Sequence, residues 1–257
     1  MSEGGLLVVV AHPDDESLIA GGVLAACAAA GAPTAVLSLT RGELGVAASG
    51  LAPGEELGAA RERELREAGR RLGVDAVECL RHPDGELEWV DHEAVAGDLA
   101  ARVAARRPRA LVTFGETGLY HHPDHVAVHR LVLAALSGLP EPPALYRAAW
   151  PEGLVPGIVA RMRERGLGAD LWGLAPEAFG TAEDRLVAVD VIPFLGTKLA
   201  ALRCHRTQLS PDHLLNTLPD DLAREVLGRE HFLPPPSGTG GWLEQVVADA
   251  GPGALDA

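Results

Sequence analysis

Leu6-Leu7-Val8-Val9-Val10-Ala11-His12-Pro13-Asp14-Asp15-Glu16, the stretch LLVVVAHPDDE, runs from aliphatic residues straight into one imidazole and three carboxylates. The aliphatic part has the composition of a strand buried on both faces of a parallel sheet. If that strand continued through the core, His12, Asp14, Asp15 and Glu16 would be buried with no water to solvate them. The chain must therefore surface after Val10. Pro13 fixes its own φ and withholds a backbone donor, so the strand ends near His12, and Ser17–Ala30 (SLIAGGVLAACAAA) has helix-forming composition despite its glycine pair. The result is a strand, an acidic turn and a helix, the repeating unit of an α/β fold.

A second unit answers the first. Arg109–Phe114 (RALVTF) reads as another buried strand, and it opens into the polar turn Gly115–His125 (GETGLYHHPDH) before a helical Val126–Leu136. In open α/β sheets the binding crevice lies outside the carboxyl ends of the strands, so two such turns on adjacent strands would face one cleft. His122 and His125, three apart at a helix start, would point to one side. Taken alone, Asp14 and Asp15 read equally well as the capped start of a helix. The second histidine-bearing turn weighs against that plainer reading.

The pair A-H-P-D-D-E (Ala11–Glu16) and H-P-D-H (His122–His125), each following a strand, resembles the zinc-dependent N-acetylglucosaminyl deacetylases of the PIG-L or LmbE-like family. The resemblance covers roughly residues 5 to 210 and extends to Thr40-Arg41-Gly42-Glu43, to Pro83-Asp84-Gly85, and to Lys198, His205 and Gln208. It implies His12, Asp15 and His125 as metal ligands, Asp14 as general base, and His122 as the group that stabilises the oxyanion or protonates the leaving amine. Tyr120 resembles a family tyrosine that also reaches the oxyanion. Arg41 is implied as a substrate contact, Asp84 as an acceptor for sugar hydroxyls, and Glu16 either as a further substrate group or as the partner of a ligating imidazole. The chemistry is coherent: amide hydrolysis at neutral pH needs an activated water, and zinc with three protein ligands lowers the pKa of a bound water to about 7. Two imidazoles and one carboxylate also suit iron(II), so zinc rests on the resemblance alone.

The 257 residues, with a formal charge of -14, oppose nucleic-acid binding through phosphates. The basic run Arg61–Arg71 (RERELREAGRR), interleaved with glutamates, reads as a solvated helix face. The N-terminal apolar run is too short for a signal peptide and no segment approaches the roughly 20 apolar residues of a membrane span, so a cytoplasmic location is expected. Cys27, Cys79 and Cys204 have no metal-binding spacing and read as buried thiols.

Strands are expected at Leu6–Val10, Ala35–Leu39, Ala76–Leu80, Leu111–Phe114, Ala144–Ala149 and Leu186–Val189. Helices are expected at Ser17–Ala30, Glu56–Leu72, His92–Ala105, Val126–Ala135 and Phe194–His205. This is an α/β, Rossmann-like, mostly parallel sheet flanked by helices, with residues 1–210 as the deacetylase-like domain and 211–257 as a smaller C-terminal elaboration. No GxGxxG follows the first strand, so nucleotide binding is not supported. Ala47–Glu55 reads as a loop beside the cleft, Trp150–Gly180 breaks the periodicity, and Leu233–Gly241 reads as an extended linker. The expected activity is removal of acetate from an N-acetylglucosamine conjugate, a small-molecule substrate; homo-oligomerisation stays open. The alternatives are an amidase of the same family acting on a mycothiol S-conjugate and, from another class, a non-catalytic metal- or sugar-binding module.

Overall fold

The computed structural model describes residues 4–47, 51–171, 173–182, 185–211, 213–235 and 241–250. Strands and helices alternate as β1 (Leu6–Val10), α1 (Asp15–Ala29), β2 (Thr34–Ser38), α2 (Leu57–Leu72), β3 (Ala76–Cys79), α3 (His92–Arg106), β4 (Ala110–Phe114), the single kinked turn α4 (Gly118–His121), α5 (Pro123–Ser137) and β5 (Ala144–Ala148). There follow α6 (Leu154–Glu164), β6 (Val187–Asp190), α7 (Leu195–Leu202), the short α8 (Leu214–Thr217) and α9 (Asp220–Val226), β7 (Arg229–Leu233) and α10 (Trp242–Ala250). The sheet order is β3-β2-β1-β4-β5-β7-β6, parallel from β3 to β5, with β7 antiparallel to both of its neighbours. The Rossmann-like, mostly parallel sheet is as expected.

Topology explains where the site falls. The chain lays β2 and β3 on one side of β1, then returns to lay β4 on the other, which makes the gap between β1 and β4 the switch point at which such sheets bind ligands. The register Leu6↔Ala110, Val8↔Val112 brings the carboxyl ends of β1 and β4 level, so the turns after them meet. Both strands are buried along their whole length, as their uninterrupted aliphatic sequences require.

α1 is buried from Asp15 to Cys27 and packs against α2, α7 and α10 as well as the sheet. Its glycine pair, unfavourable for an isolated helix, is required by that packing: a Cβ on Gly22 would lie 2.4 Å from Val191 Cβ.

Beyond the short α8 and α9, which were not expected either, two elements depart from expectation. β7 was not anticipated, and it places residues after 210 inside the sheet between β5 and β6. α6 occupies part of the segment whose periodicity looked broken; Pro156 lies in its first turn, where a missing N–H leaves no intrahelical bond unmade. Residues 48–50 of the expected cleft loop and 236–240 of the expected linker lie outside the described residues. Among the described residues no helix is long and apolar enough to cross a membrane.

Candidate active site

His12, at the end of β1, is the hub of the site. Its backbone N–H donates to Asp15 Oδ2 at 2.8 Å and closes the acidic turn on itself. Its ring Nε2 lies 3.1 Å from Asp124 Oδ2 and 3.1 Å from Asp84 Oδ1. Ionised carboxylates only accept, so Nε2 carries the proton and the Nδ1 lone pair faces the other way. There Nδ1 lies 3.3 Å from His125 Nε2 and 3.4 Å from Asp15 Oδ2. His125 Nδ1 in turn lies 3.2 Å from the Gly118 carbonyl oxygen, also a pure acceptor, so the His125 Nε2 lone pair points inward, 3.3 Å from Asp15 Oδ1. Phe114 stacks on the His125 ring at 3.9 Å between centroids and fixes its plane.

Two lone pairs and a carboxylate facing one another repel unless something positive lies between them. The two ring nitrogens lie 3.3 Å apart, close to the edge of a tetrahedron around a divalent ion bound at about 2.0–2.1 Å, and Asp15 approaches them with different oxygens, Oδ2 toward His12 and Oδ1 toward His125. Among the described residues His12, His122 and His125 offer three ligand atoms within 4.8 Å of one another, as do His12, Asp84 and Asp124, and Asp15 meets His12 and His125 through its two oxygens. In the metal-free chain the same crowding appears as proton affinity. Burial disfavours a charged His12, but Asp124, Asp15 and Asp84 outweigh it and hold the imidazole well above its usual range. Burial likewise opposes ionised Asp15, yet His125 and His12 hold its carboxyl well below the usual range.

Asp14 stands beside this set. Its carboxylate faces the cavity and receives Arg61 Nη2 at 3.0 Å, while burial, only partly countered by Arg61, pushes its pKa up to about 6. Its φ is +123°, a region non-glycine residues avoid. Leu119 and His121 also have positive φ, so three of the four such non-glycine residues among the described residues sit in the two strand-end turns. Strain of this kind persists only where surrounding contacts impose it.

His122 caps α5 by accepting the Asp124 N–H on Nδ1 at 3.2 Å, which leaves Nε2 as the donor nitrogen. Burial, with the nearby His125 and His12, lowers its pKa to about 4 and keeps it neutral at pH 7. Tyr120 lines the same cavity, its ring edge-on to His122 and His125, and burial pushes its phenol upward.

The structure does not bring every candidate to this place. Arg41 is not among the residues lining the cavity, and its guanidinium lies 3.5 Å from Glu56. Glu16 is fully buried and turned the other way, accepting from Ser17 Oγ at 2.5 Å, lying 2.9 Å from His205 Nε2, and accepting the Asp14 N–H at 2.9 Å. Asp84 lines the cavity, but its oxygens are engaged by His12 and by the Leu44 N–H.

Two residues were missed. Asp124 is completely buried and, besides His12, accepts the N–H groups of Gly85 and Leu87, tying the turn after β3 to the His12 cluster. Arg61, expected on a solvated face, is buried on the cavity wall and donates to the carbonyls of Gly42 and Pro13 as well as to Asp14. Gly42 makes the room, since a Cβ there would lie 2.3 Å from Arg61 Nη1. The signal was present: Arg61 falls on the stripe Arg61, Leu65, Ala68, Leu72, the apolar face of α2.

Residues 7–136 match the family model described as PIG-L, GlcNAc-PI de-N-acetylase. The chain belongs to the PIG-L family. A 1D-myo-inositol 2-acetamido-2-deoxy-alpha-D-glucopyranoside deacetylase of Nakamurella multipartita is 35% identical, over 88% of this chain and 87% of that protein. The enzyme of the same description from Mycolicibacterium smegmatis is 32% identical, over 89% of each chain. Among solved structures, the N,N'-diacetylchitobiose deacetylase of Pyrococcus horikoshii shares the fold with a TM-score of 0.55, at 23% identity over 85% of this chain and 72% of that one. The family resemblance and the hydrolase class drawn from it in the sequence are thus borne out: this PIG-L family member is an N-deacetylase.

Proposed function

We propose that this PIG-L family deacetylase removes acetate from the N-acetylated amino sugar of an N-acetylglucosamine conjugate, with a divalent metal, zinc by family expectation, held by His12, Asp15 and His125. The observation that carries this reading is the convergence of two imidazole lone pairs and one carboxylate at 3.3–3.4 Å, with a fourth group, Asp14, beside them and outside the ligand set. A purely structural metal site has no need of a carboxylate held in strained backbone on the cavity wall.

When bound, the metal supplies Lewis acidity that lowers the pKa of a coordinated water to about 7. Asp14, with its raised pKa, accepts the proton of the attacking water as general base. Arg61 fixes the orientation of the Asp14 carboxylate and presents its guanidinium to the substrate cavity. His122, neutral and with Nε2–H as donor, is suited to hydrogen-bond the developing oxyanion, and Tyr120 beside it adds a second donor. Asp84 and Asp124 hold the His12 ring and raise its strength as a ligand. A cytoplasmic location belongs to the same proposal, supported by three free thiols.

The test is acetate release from N-acetylglucosaminyl inositol, N-acetylglucosaminyl malate and free N-acetylglucosamine by protein stripped of metal and reconstituted with zinc or iron(II). Metal-dependent release supports the reading and ranks the substrates. Absence of release from all three by stoichiometrically loaded protein overturns it.

A further inference from the structure

The reactive centre forms the floor of a cavity of about 720 Å³, well within the range of about 300–1,000 Å³ typical for drug-sized ligands and larger than one sugar ring requires. Its mouth is apolar. Leu44, Val46 and Leu174 line it while 70%, 87% and 38% exposed, and Leu209 and Leu215 continue the wall inward. A single exposed leucine needs no explanation, but three of the seven exposed large apolar side chains among the described residues line this one cavity.

Much of the polar wall is engaged within the protein, although Arg61 Nε and His205 Nδ1 have no hydrogen-bond partner among the described residues. Arg61 serves Gly42, Pro13 and Asp14, Asp84 serves His12 and Leu44, and His205 serves Glu16. Gln208 donates to Thr207 Oγ1. A polyol pressed against the apolar side chains of Leu44, Val46 and Leu174 would lose water from its hydroxyls without gaining partners there, which disfavours binding. An anionic group would approach a chain of formal charge -14. In an N-acetylated 2-amino sugar the anomeric carbon adjoins the carbon that bears the amide. With the amide at the floor, whatever the anomeric carbon carries must lie against the walls of the same cavity.

We propose that the apolar mouth is an aglycone subsite, and that the conjugate this protein deacetylates carries a neutral, apolar aglycone instead of a polyol such as inositol. The inference rests on the deacetylase reading and departs from the inositol conjugate named for its relatives.

The experiment uses the full, zinc-loaded chain with the methyl, butyl and hexyl glycosides of N-acetylglucosamine, N-acetylglucosaminyl inositol, and methyl N-hexanoylglucosaminide. The expected result is a rise in kcat/KM along the alkyl series, by up to about fourfold for each methylene fully buried, with the hexyl glycoside exceeding the inositol conjugate. Val46→Ser and Leu44→Ser alter exposed side chains, so folding is not at stake; combined, they are expected to cut the hexyl-to-methyl ratio roughly tenfold. A flat series, preference for the inositol conjugate, or a hexyl preference untouched by the two substitutions overturns the proposal. Faster cleavage of the N-hexanoyl amide than of the N-acetyl amide also overturns it, by assigning the apolar wall to the acyl chain. If no glycoside is hydrolysed, the methyl one included, the deacetylase reading fails. Calorimetric binding of the hexyl against the methyl glycoside then decides the subsite separately, equal or absent binding counting against it.

Discussion

Burial pushes the Asp14 carboxyl up to about 6 from 3.8, against the pull of Arg61, so the group proposed as base also weakens the metal-free fold. Because its folded pKa lies above its unfolded one, the folded state binds the proton more tightly, and stability falls as pH rises from about 4 through 6. The cost reaches about 3 kcal/mol above pH 6, at 1.36 kcal/mol for each pKa unit. Asp14→Asn is expected to make the metal-free protein more stable than its parent at pH 8, with the difference vanishing toward pH 4, as read by urea unfolding across that range. The same substitution should leave metal stoichiometry intact while lowering kcat by a factor on the order of 10²–10⁴. Retained turnover with full metal would remove Asp14 from the role of base. Asp124 makes a different prediction, because it acts through His12. Replacing the outer partner of a ligating histidine typically costs about 10–100-fold in metal affinity, but Asp84 shares the same Nε2 and backs it up. Asp124→Asn alone should fall at the low end of that range, and the double change Asp84→Asn with Asp124→Asn should go well past it, measured by titration against a competing chelator. Equal affinities in all three proteins would mean that neither carboxylate tunes the site.

At the level of elements, β7 is joined to α1 by charge. Glu230 on β7 accepts the N–H groups of Gly22 and Val23 at 2.7 and 2.9 Å and the Lys198 ammonium at 2.6 Å, all buried. Removing one partner of a buried pair strands the other charge, which typically costs about 3–5 kcal/mol. Lys198→Met should destabilise by that order in denaturant unfolding, and adding Glu230→Gln should recover part of the loss; no loss in the single variant would show that the pair is not holding strand to helix. The same pair explains why β7 was illegible in the sequence. Arg229-Glu230-His231 has no strand-like alternation of apolar residues, and its burial depends on a lysine 32 positions away. Arg61 was hidden in the same manner, its charge matched by Asp14 and two carbonyls contributed by other segments. The parallel strands, by contrast, were legible because burial on both faces demands unbroken aliphatic runs, and the two histidine turns because no core would accept them unpaired. Local composition reveals elements whose partners are generic; it conceals those whose polar groups are satisfied by distant, particular residues.

For the whole molecule, the proposed metal-ligand set ties together segments that are far apart in the chain. His12 and Asp15 follow β1, His125 follows β4, and Asp84, after β3, and Asp124, in α5, brace them. An ion bound there would cross-link the turns on both sides of the switch point, and the unfolded chain would have no equivalent site. Metal binding should then stabilise the native state as a whole by about 2.7 kcal/mol when free metal is at 100 times its dissociation constant. In a chain of this size that is a rise in Tm of roughly 5–10 °C. Calorimetry should show one cooperative transition that moves down with a chelator, returns with added zinc, and rises further with zinc concentration. In Asp15→Ala the transition should no longer respond to zinc, because the remaining imidazoles lack the carboxylate that completes the set. A parent protein whose transition is the same with chelator and with zinc would show that the three inward-facing groups hold a proton and nothing more, and the deacetylase reading would lose its physical basis along with the metal.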